Sequence, residues 1–289
     1  MSPSTSLRQR LRGDSLLVVP GAYDAITARL VEQAGFEAVY MTGAGTSMAR
    51  GFPDFGLLTM SEMVENAGTM ARSVRIPLIS DADTGYGNEL NVTRTVREFE
   101  AGGIAAIHIE DQVSPKRCGH LDGKEVVRLE DFVVKIRAAV AARISKDFLI
   151  IARTDARAVE GLDSAVERMN AALAAGADVA FLEAPQSLQE VADIPRLVRG
   201  PCLLNVVPNG RTPPLPMSDV EKMGYRIAIL PGITLAATIT ACDAALAALR
   251  TTGSPPETRL SPEEAFARFG AQEWNAVRAG LQVAAKEST

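Results

Sequence analysis

Short apolar runs recur along the chain, separated by alanine-rich stretches whose apolar positions repeat with a helical period. The runs cover residues 16–19, 38–41, 78–80, 105–109, 148–152, 179–182, 202–206 and 226–230. Most are unbroken Val, Ile, Leu and Ala without alternation, the pattern of strands covered on both faces. Between them the spacing predicts helices over 24–33, 91–101, 129–142, 164–175 and 219–223. Gly35, Gly102-Gly103, Gly176 and Gly224 fall where a helix must turn back into a strand. Strands alternating with helices predict right-handed crossovers and a parallel sheet.

Eight such units in 289 residues predict an α/β fold of the (β/α)8 barrel type, which takes about 250 residues. An open doubly wound sheet has the same alternation. The barrel is favoured by where the polar residues fall. Nearly every apolar run hands over to them: Pro20-Gly21, Thr42-Gly43-Ala44-Gly45, Asp81-Ala82-Asp83, Glu110-Asp111, Arg153-Thr154-Asp155, Glu183, Asn205 and Pro231-Gly232. A barrel gathers all eight strand ends on its catalytic face. An open sheet would spread them along a line at about 4.8 Å per strand. The tail reads as helices over 234–249 and 262–285, joined by a Thr/Gly/Ser/Pro linker at 251–256. The expected organisation is one barrel domain over 1–289, with 234–289 as a helical extension that could reach a neighbouring subunit.

Composition narrows the class. Apolar residues make up 47% and charged residues 22%, and the net charge is -5 without a basic tract. That points away from nucleic acid and anionic membranes. The first ten residues lack the apolar core of a signal peptide, and no run reads as the roughly 20 apolar residues of a membrane helix. Cys118, Cys202 and Cys242 have no metal-type spacing, and sparse cysteines suit a reducing compartment. The expectation is a cytoplasmic protein.

The chemistry concentrates at 104–120. An apolar strand runs into Glu110-Asp111, and Lys116-Arg117-Cys118-Gly119-His120 follows within a few residues. A thiol among Lys, Arg and His is expected to ionise below the roughly 8.5 of a free cysteine. Asp81 and Asp83 bracket one residue, so on an extended segment they point the same way. With Glu110 they form an oxygen-only cluster suited to Mg2+ or Mn2+. Capping of the next turn is the ordinary structural role for such residues. Thr42–Gly45 could cradle a carboxylate or simply turn tightly. Arg153 could grip a carboxylate or pair with Asp155 or Glu183, and Glu183 and Asn205 could orient substrate or satisfy the rim. His108 reads as a core histidine, and His120 as the functional one.

These motifs together resemble the isocitrate lyase/phosphoenolpyruvate mutase superfamily. Lys116–His120 is similar to its K-K/R-C-G-H signature, and Asp81–Gly87 to its metal segment. Gly51–Asp54, Ile109–Gln112, Ile151–Ala156 and Phe181–Ala184 match further loops and strand ends in the right order, over about residues 10–250. The resemblance implies Mg2+ (or Mn2+) held, largely through water, by Asp54, Asp81, Asp83 and Glu110. It implies that Thr42, Gly43 and Ala44 hold a pyruvate-type carboxylate with Arg153 against its oxygens. Cys118 would be the acid/base on a mobile 114–124 loop, with His120 and Glu183 also catalytic. Lys116, Gly119, Asn205 and Pro231 would contact substrate. Family members exchange a C-terminal helix between paired subunits and form homotetramers.

Two segments point away from a tricarboxylate. Gly210-Arg211-Thr212-Pro213 resembles the turn of dimethylmalate lyases and oxaloacetate hydrolases, and Ala236 stands where methylisocitrate lyases place an Arg. Val206, Val207 and Leu235 would give an apolar pocket. Pro231 is the residue of lyases where hydrolases tend to have Ser. The expected activity is Mg2+-dependent C–C cleavage of a 2-hydroxy di- or tricarboxylate, of 2,3-dimethylmalate or 2-methylisocitrate type, to pyruvate. The rivals are an oxaloacetate hydrolase on the same scaffold and a non-catalytic barrel that binds dicarboxylates.

Overall fold

The computed structural model describes residues 2–258 and 260–287. Eight parallel strands close in chain order into a barrel. They are β1 (Leu17–Ala22), β2 (Val39–Met41), β3 (Leu78–Asp81), β4 (Ala106–Glu110), β5 (Leu149–Thr154), β6 (Val179–Leu182), β7 (Cys202–Asn205) and β8 (Ile227–Leu230). Closure comes from β8 pairing with β1, Leu17 opposite Ile227 and Val19 opposite Ile229. The (β/α)8 expectation is met.

The helices are α1 (Pro3–Arg10), α2 (Ala25–Gln33), α3 (Gly43–Ala49), α4 (Met60–Ser73), α5 (Glu89–Ala101), α6 (Leu129–Ala142), α7 (Leu162–Ala174), α8 (Leu188–Leu197), α9 (Met217–Lys222), α10 (Ile233–Thr252), α11 (Pro262–Arg268) and α12 (Ala271–Glu287). Asp24, Thr59 and Asn88 cap α2, α4 and α5 with reciprocal capping boxes. Two compact units emerge: residues up to Ala237, and Thr238 onward.

Three apolar clusters explain the barrel. Leu17, Val19, Tyr40, Ile79, Ile151, Val179, Phe181, Leu203, Ile227 and Ile229 fill its interior, and Leu7 of α1 belongs to the same cluster, so α1 stoppers it. The other two clusters lie between strands and helices, for example Met41, Val92 and Phe99, or Leu182, Met169 and Val191. Strand parity separates these layers.

Several expectations are corrected. The pattern gave no sign of α1, whose polar sequence buries only Leu7. Gly43–Ala49 is a helix capped by Thr42, not a tight turn; Thr42 Oγ1 accepts from the Gly45 amide at 3.3 Å. The tail helix over 262–285 breaks at Gly270, which has φ +88°, a left-handed conformation that glycine tolerates. Asp83 likewise has φ +46°, so Asp81 and Asp83 do not lie on one extended segment. Finally, α10 spans 20 residues with a mean hydropathy of 1.4, so one helix has the length and composition of a membrane span. Its alanine- and threonine-rich character hid it from a search for bulky apolar runs. None of its residues is buried.

Candidate active site

The same parity that fills the barrel delivers the site. Along each strand every second residue faces inward, and the inward row ends at the rim on a polar or special residue. Ala106 and His108 lead to Glu110, Leu149 and Ile151 to Arg153, and Val179 and Phe181 to Glu183. Ile79 leads to Asp81, Leu203 to Asn205, and Tyr40 to Thr42. Register confirms the rows: Asp81 pairs with His108, Glu110 with Arg153 and Arg153 with Phe181. Asp111 has the opposite parity and does structural work. It accepts from Thr154 Oγ1 at 2.6 Å, from the Asp155 amide at 2.9 Å and from Arg168 at 3.2 Å. Burial pushes its carboxyl up to about 6, against those hydrogen bonds.

Four acids gather around one lysine. Lys116, 4% exposed, hydrogen-bonds Asp54 and lies 3.1 Å from Asp83 Oδ1. Burial alone would lower the Lys116 pKa, but Asp83, Asp81, Asp54 and Glu110 together raise it well above the usual lysine range. Burial opposes ionisation of Asp81 too, yet His108, Lys116 and Arg153 hold it down to about 2. Burial pushes Asp83 up to about 6 and Glu110 well above a normal carboxyl.

These residues fit a hard divalent cation. Asp83 Oδ1 and Glu110 Oε2 meet only the Lys116 and Arg153 cations, each at 3.1 Å, and Glu110 Oε1 is buried with no partner. Among the described residues no three His, Cys, Asp or Glu side chains converge as a closed ligand set. The donors suit an ion that keeps much of its water, as Mg2+ does. Packing is tight here: a Cβ on Gly43 would come 2.4 Å from Asp81 Oδ2.

A second network centres on Arg153, which is 6% exposed. It donates to Asp155 Oδ2 at 3.0 Å and Oδ1 at 3.2 Å, and lies 3.1 Å from Glu110 Oε2 and 3.7 Å from Glu183 Oε1. Its guanidinium stacks 5.2 Å over the Phe181 ring. The pairing with Asp155 and Glu183 holds, and it fixes the direction in which the guanidinium points. Asn205 Nδ2 donates to both Glu183 oxygens at 3.2 Å. His120 Nε2 lies 3.3 Å from Glu183 Oε1, and the Arg211 amide donates to His120 Nδ1 at 3.1 Å. Nδ1 is therefore the lone-pair nitrogen, and Nε2–H faces the carboxylate. Burial lowers the His120 pKa, so the ring is neutral at neutral pH.

The 114–124 loop is folded over the rim. Its stems are tied by an antiparallel bridge, Gln112 opposite Val126. The Gln112 side chain holds Arg117 at both its amide (2.9 Å) and carbonyl (2.8 Å). Lys124 ties the tip down through the carbonyls of Gly119 and Leu121. A Cβ on Gly119 would meet Glu183 Oε1 at 2.4 Å and Arg153 at 2.5 Å, groups already fixed by ion pairs. Gly119→Ala is therefore expected to lower kcat/KM about 10²-fold, because the loop cannot seat, while leaving the melting temperature nearly unchanged. Stopped-flow turnover and a thermal melt check both parts.

Cys118 departs from the sequence expectation. Burial pushes its thiol up, aided by Asp54 and Glu183, and this outweighs the His120 amide and Arg153. The neighbouring cations are spent on carboxylates: Lys116 on Asp54 and Asp83, Lys124 near Asp155 at 3.9 Å. The cysteine is a protonated thiol, not a thiolate.

A cavity of about 130 Å³ joins these groups, lined by Thr42, Ala44, Asp54, Asp81, Cys118, Gly119, His120, Arg153, Glu183, Asn205 and Pro231, with Tyr40, Val207, Gly232 and Leu235. Gly43, Lys116, Asp83 and Glu110 stand behind its walls. Val206 does not line it; its side chain packs among the outer core. Tyr40 is a wall residue that the sequence reading missed. Its signal was a polar tip two residues before Thr42, on the same inward row. A larger cleft of about 410 Å³ at the foot of the loop, lined by Thr59, Tyr86, Arg94 and Ser114, carries none of the strand-end groups.

Comparison with known proteins agrees with this geometry. Residues 7–250 match the phosphoenolpyruvate phosphomutase family. The chain is 48% identical over 232 residues to 2,3-dimethylmalate lyase of Eubacterium barkeri, covering 80% of each chain. It is 46% identical over 244 residues to 2-methylisocitrate lyase of Aeropyrum pernix, covering 84% of this chain and 79% of that one. The structure of an oxaloacetate acetylhydrolase bound to 3,3-difluorooxalacetate superposes with a TM-score of 0.95 at 40% identity, covering 97% of both chains.

Proposed function

Since this chain belongs to the phosphoenolpyruvate mutase/isocitrate lyase family and is a carbon–carbon lyase, we propose that it cleaves the C2–C3 bond of a 2-hydroxy di- or tricarboxylate to pyruvate and a second carboxylate. The observation that carries this reading is the single cavity holding Asp54 and Asp81, the Arg153 cation and the Cys118 thiol. Arg153, held by Asp155 and Glu110, offers fixed positive charge to the oxygens of the 2-oxo product. As the bond breaks, the 2-hydroxyl gives up its proton to a carboxylate of the cavity wall, and the departing fragment is a carboxylate-stabilised carbanion that needs one. Cys118 has one to give, because burial keeps the thiol protonated. The seated loop keeps solvent from supplying that proton first. His120 and Asn205, fixed against Glu183, form the polar wall that faces the far end of the substrate. Asp54, Asp81, Asp83 and Glu110 would hold Mg2+ or Mn2+, which when bound stabilises negative charge on the substrate's oxygens.

The wall made by Val207, Pro231 and Leu235 is apolar, and Ala236 supplies no cation. That favours an alkylated malate of the 2,3-dimethylmalate type over a tricarboxylate. Oxaloacetate hydrolysis is the second reading, favoured by the likeness to the acetylhydrolase structure. Pro231 speaks against it, since its side chain can neither donate a hydrogen bond nor hold a water.

Pyruvate release, coupled to lactate dehydrogenase, decides between these across a panel of alkylated malates, 2-methylisocitrate and oxaloacetate. Turnover of an alkylated malate is expected with Mg2+, to fall below detection in EDTA and to return on adding Mg2+. Oxalate and acetate from oxaloacetate would establish the hydrolase instead, and binding without turnover the non-catalytic barrel. We also propose a cytoplasmic homotetramer with exchanged helices. Its support is α10, with no buried residue, together with exposed Leu246, Phe266 and Trp274. Native mass of the chain truncated after residue 250 tests it.

A further inference from the structure

His108 is fully buried in the barrel interior, stacked on Tyr40 at 5.8 Å and against the edge of Phe181 at 5.5 Å. Its Nε2 lies 2.8 Å from Tyr40 Oη and 3.5 Å from Asp81 Oδ1, while Nδ1 is buried with no partner at all. The sequence read this residue as core filling. The contacts at Nε2 say more, because they decide where the ring hydrogen sits. With the hydrogen on Nδ1, a donor would be buried unsatisfied and the Nε2 lone pair would face a carboxylate oxygen. With the hydrogen on Nε2, it serves Tyr40 Oη and leans on Asp81, and only an acceptor goes unpaired. The second arrangement is favoured on both counts.

It has a consequence for Tyr40. A phenol oxygen that accepts from His108 must send its own hydrogen elsewhere, and Tyr40 lines the cavity beside Thr42, Asp81 and Arg153. We propose that His108 is a positioning residue that fixes Tyr40 as a hydrogen-bond donor into the cavity, toward an oxygen of the bound oxo acid. Only the identity of that acceptor rests on the lyase reading. Burial, with Asp81 close by, keeps the phenol protonated.

The chain has two histidines, so imidazole nitrogen NMR of the whole protein resolves each ring, and His120→Gln assigns them. The two-bond proton–nitrogen pattern of His108 is expected to show a protonated Nε2 and a bare Nδ1. A hydrogen on Nδ1 overturns the proposal, whatever the enzyme turns over. In activity, Tyr40→Phe and His108→Leu are each expected to lower kcat about tenfold with little change in KM. His108→Gln, which keeps an amide donor near the Nε2 position, retains most of it. Combining Tyr40→Phe with His108→Leu should cost no more than Tyr40→Phe alone. Multiplying losses would make His108 a packing residue only. If His108→Leu fails to fold, the NMR pattern and His108→Gln still decide.

Discussion

Cys118→Ala is expected to lower kcat by about 10²- to 10⁴-fold while pyruvate binding, followed by calorimetry, is retained. The size follows from the role: general acid catalysis contributes in that range, and the pocket that binds product does not need the sulfur. The pH dependence has a definite sign. A group that donates its proton works below its pKa and fails above it. Burial raises the Cys118 pKa, so the alkaline fall of kcat should lie above the roughly 8.5 of a free thiol. That limb should vanish in the alanine variant. Alkylation by iodoacetamide in a Cys242→Ser background should rise through the same pKa at which kcat falls, with Cys202 silent because burial pushes its thiol up to about 12. Full activity in Cys118→Ala would remove the thiol from the mechanism.

Arg153→Met is expected to destabilise the fold by about 3–5 kcal/mol, lowering the melting temperature by about 10 °C, besides abolishing turnover. Glu110, Asp155 and Glu183 are buried and ion-paired to this guanidinium. Removing it leaves their charges uncompensated, which costs more than the pairs contribute. The loss should be larger in EDTA than in Mg2+, because a bound cation offsets part of the same charge. Adding Asp155→Asn to Arg153→Met should recover part of the stability, a coupling that differential scanning calorimetry reads directly. A shift under 2 °C would mean that the three acids need no cationic partner.

The barrel was legible because its strands are apolar on both faces and its rim residues follow the strands at once. Thr42, Arg153, Glu183 and Asn205 could be placed from that handover alone. What stayed hidden depends on contacts between distant segments. Lys116 sits among carboxylates from three different loops or strands, so no local pattern announces it as their counter-ion. The Cys118 thiol illustrates the same limit. Neighbours in sequence suggested a lowered pKa, but folding assigns those cations to acids and buries the sulfur. The left-handed Asp83 defeats any argument from an extended segment, yet the residue still reaches the cluster, because the turn carries it back. The helix at Gly43–Ala49 was masked by glycines that propensity alone would put in a loop.

Interior and rim lie on the same rows, which restricts how such a protein can change. Deleting one residue within β5 would swing Arg153 toward the helices and bring Thr154 to the centre, and would misplace the packing of Leu149 and Ile151 with it. Insertions and deletions are thus confined to the loops above the rim and the turns below it. New specificity in this lineage must come by exchanging side chains in place, or by recutting the segments that cover them.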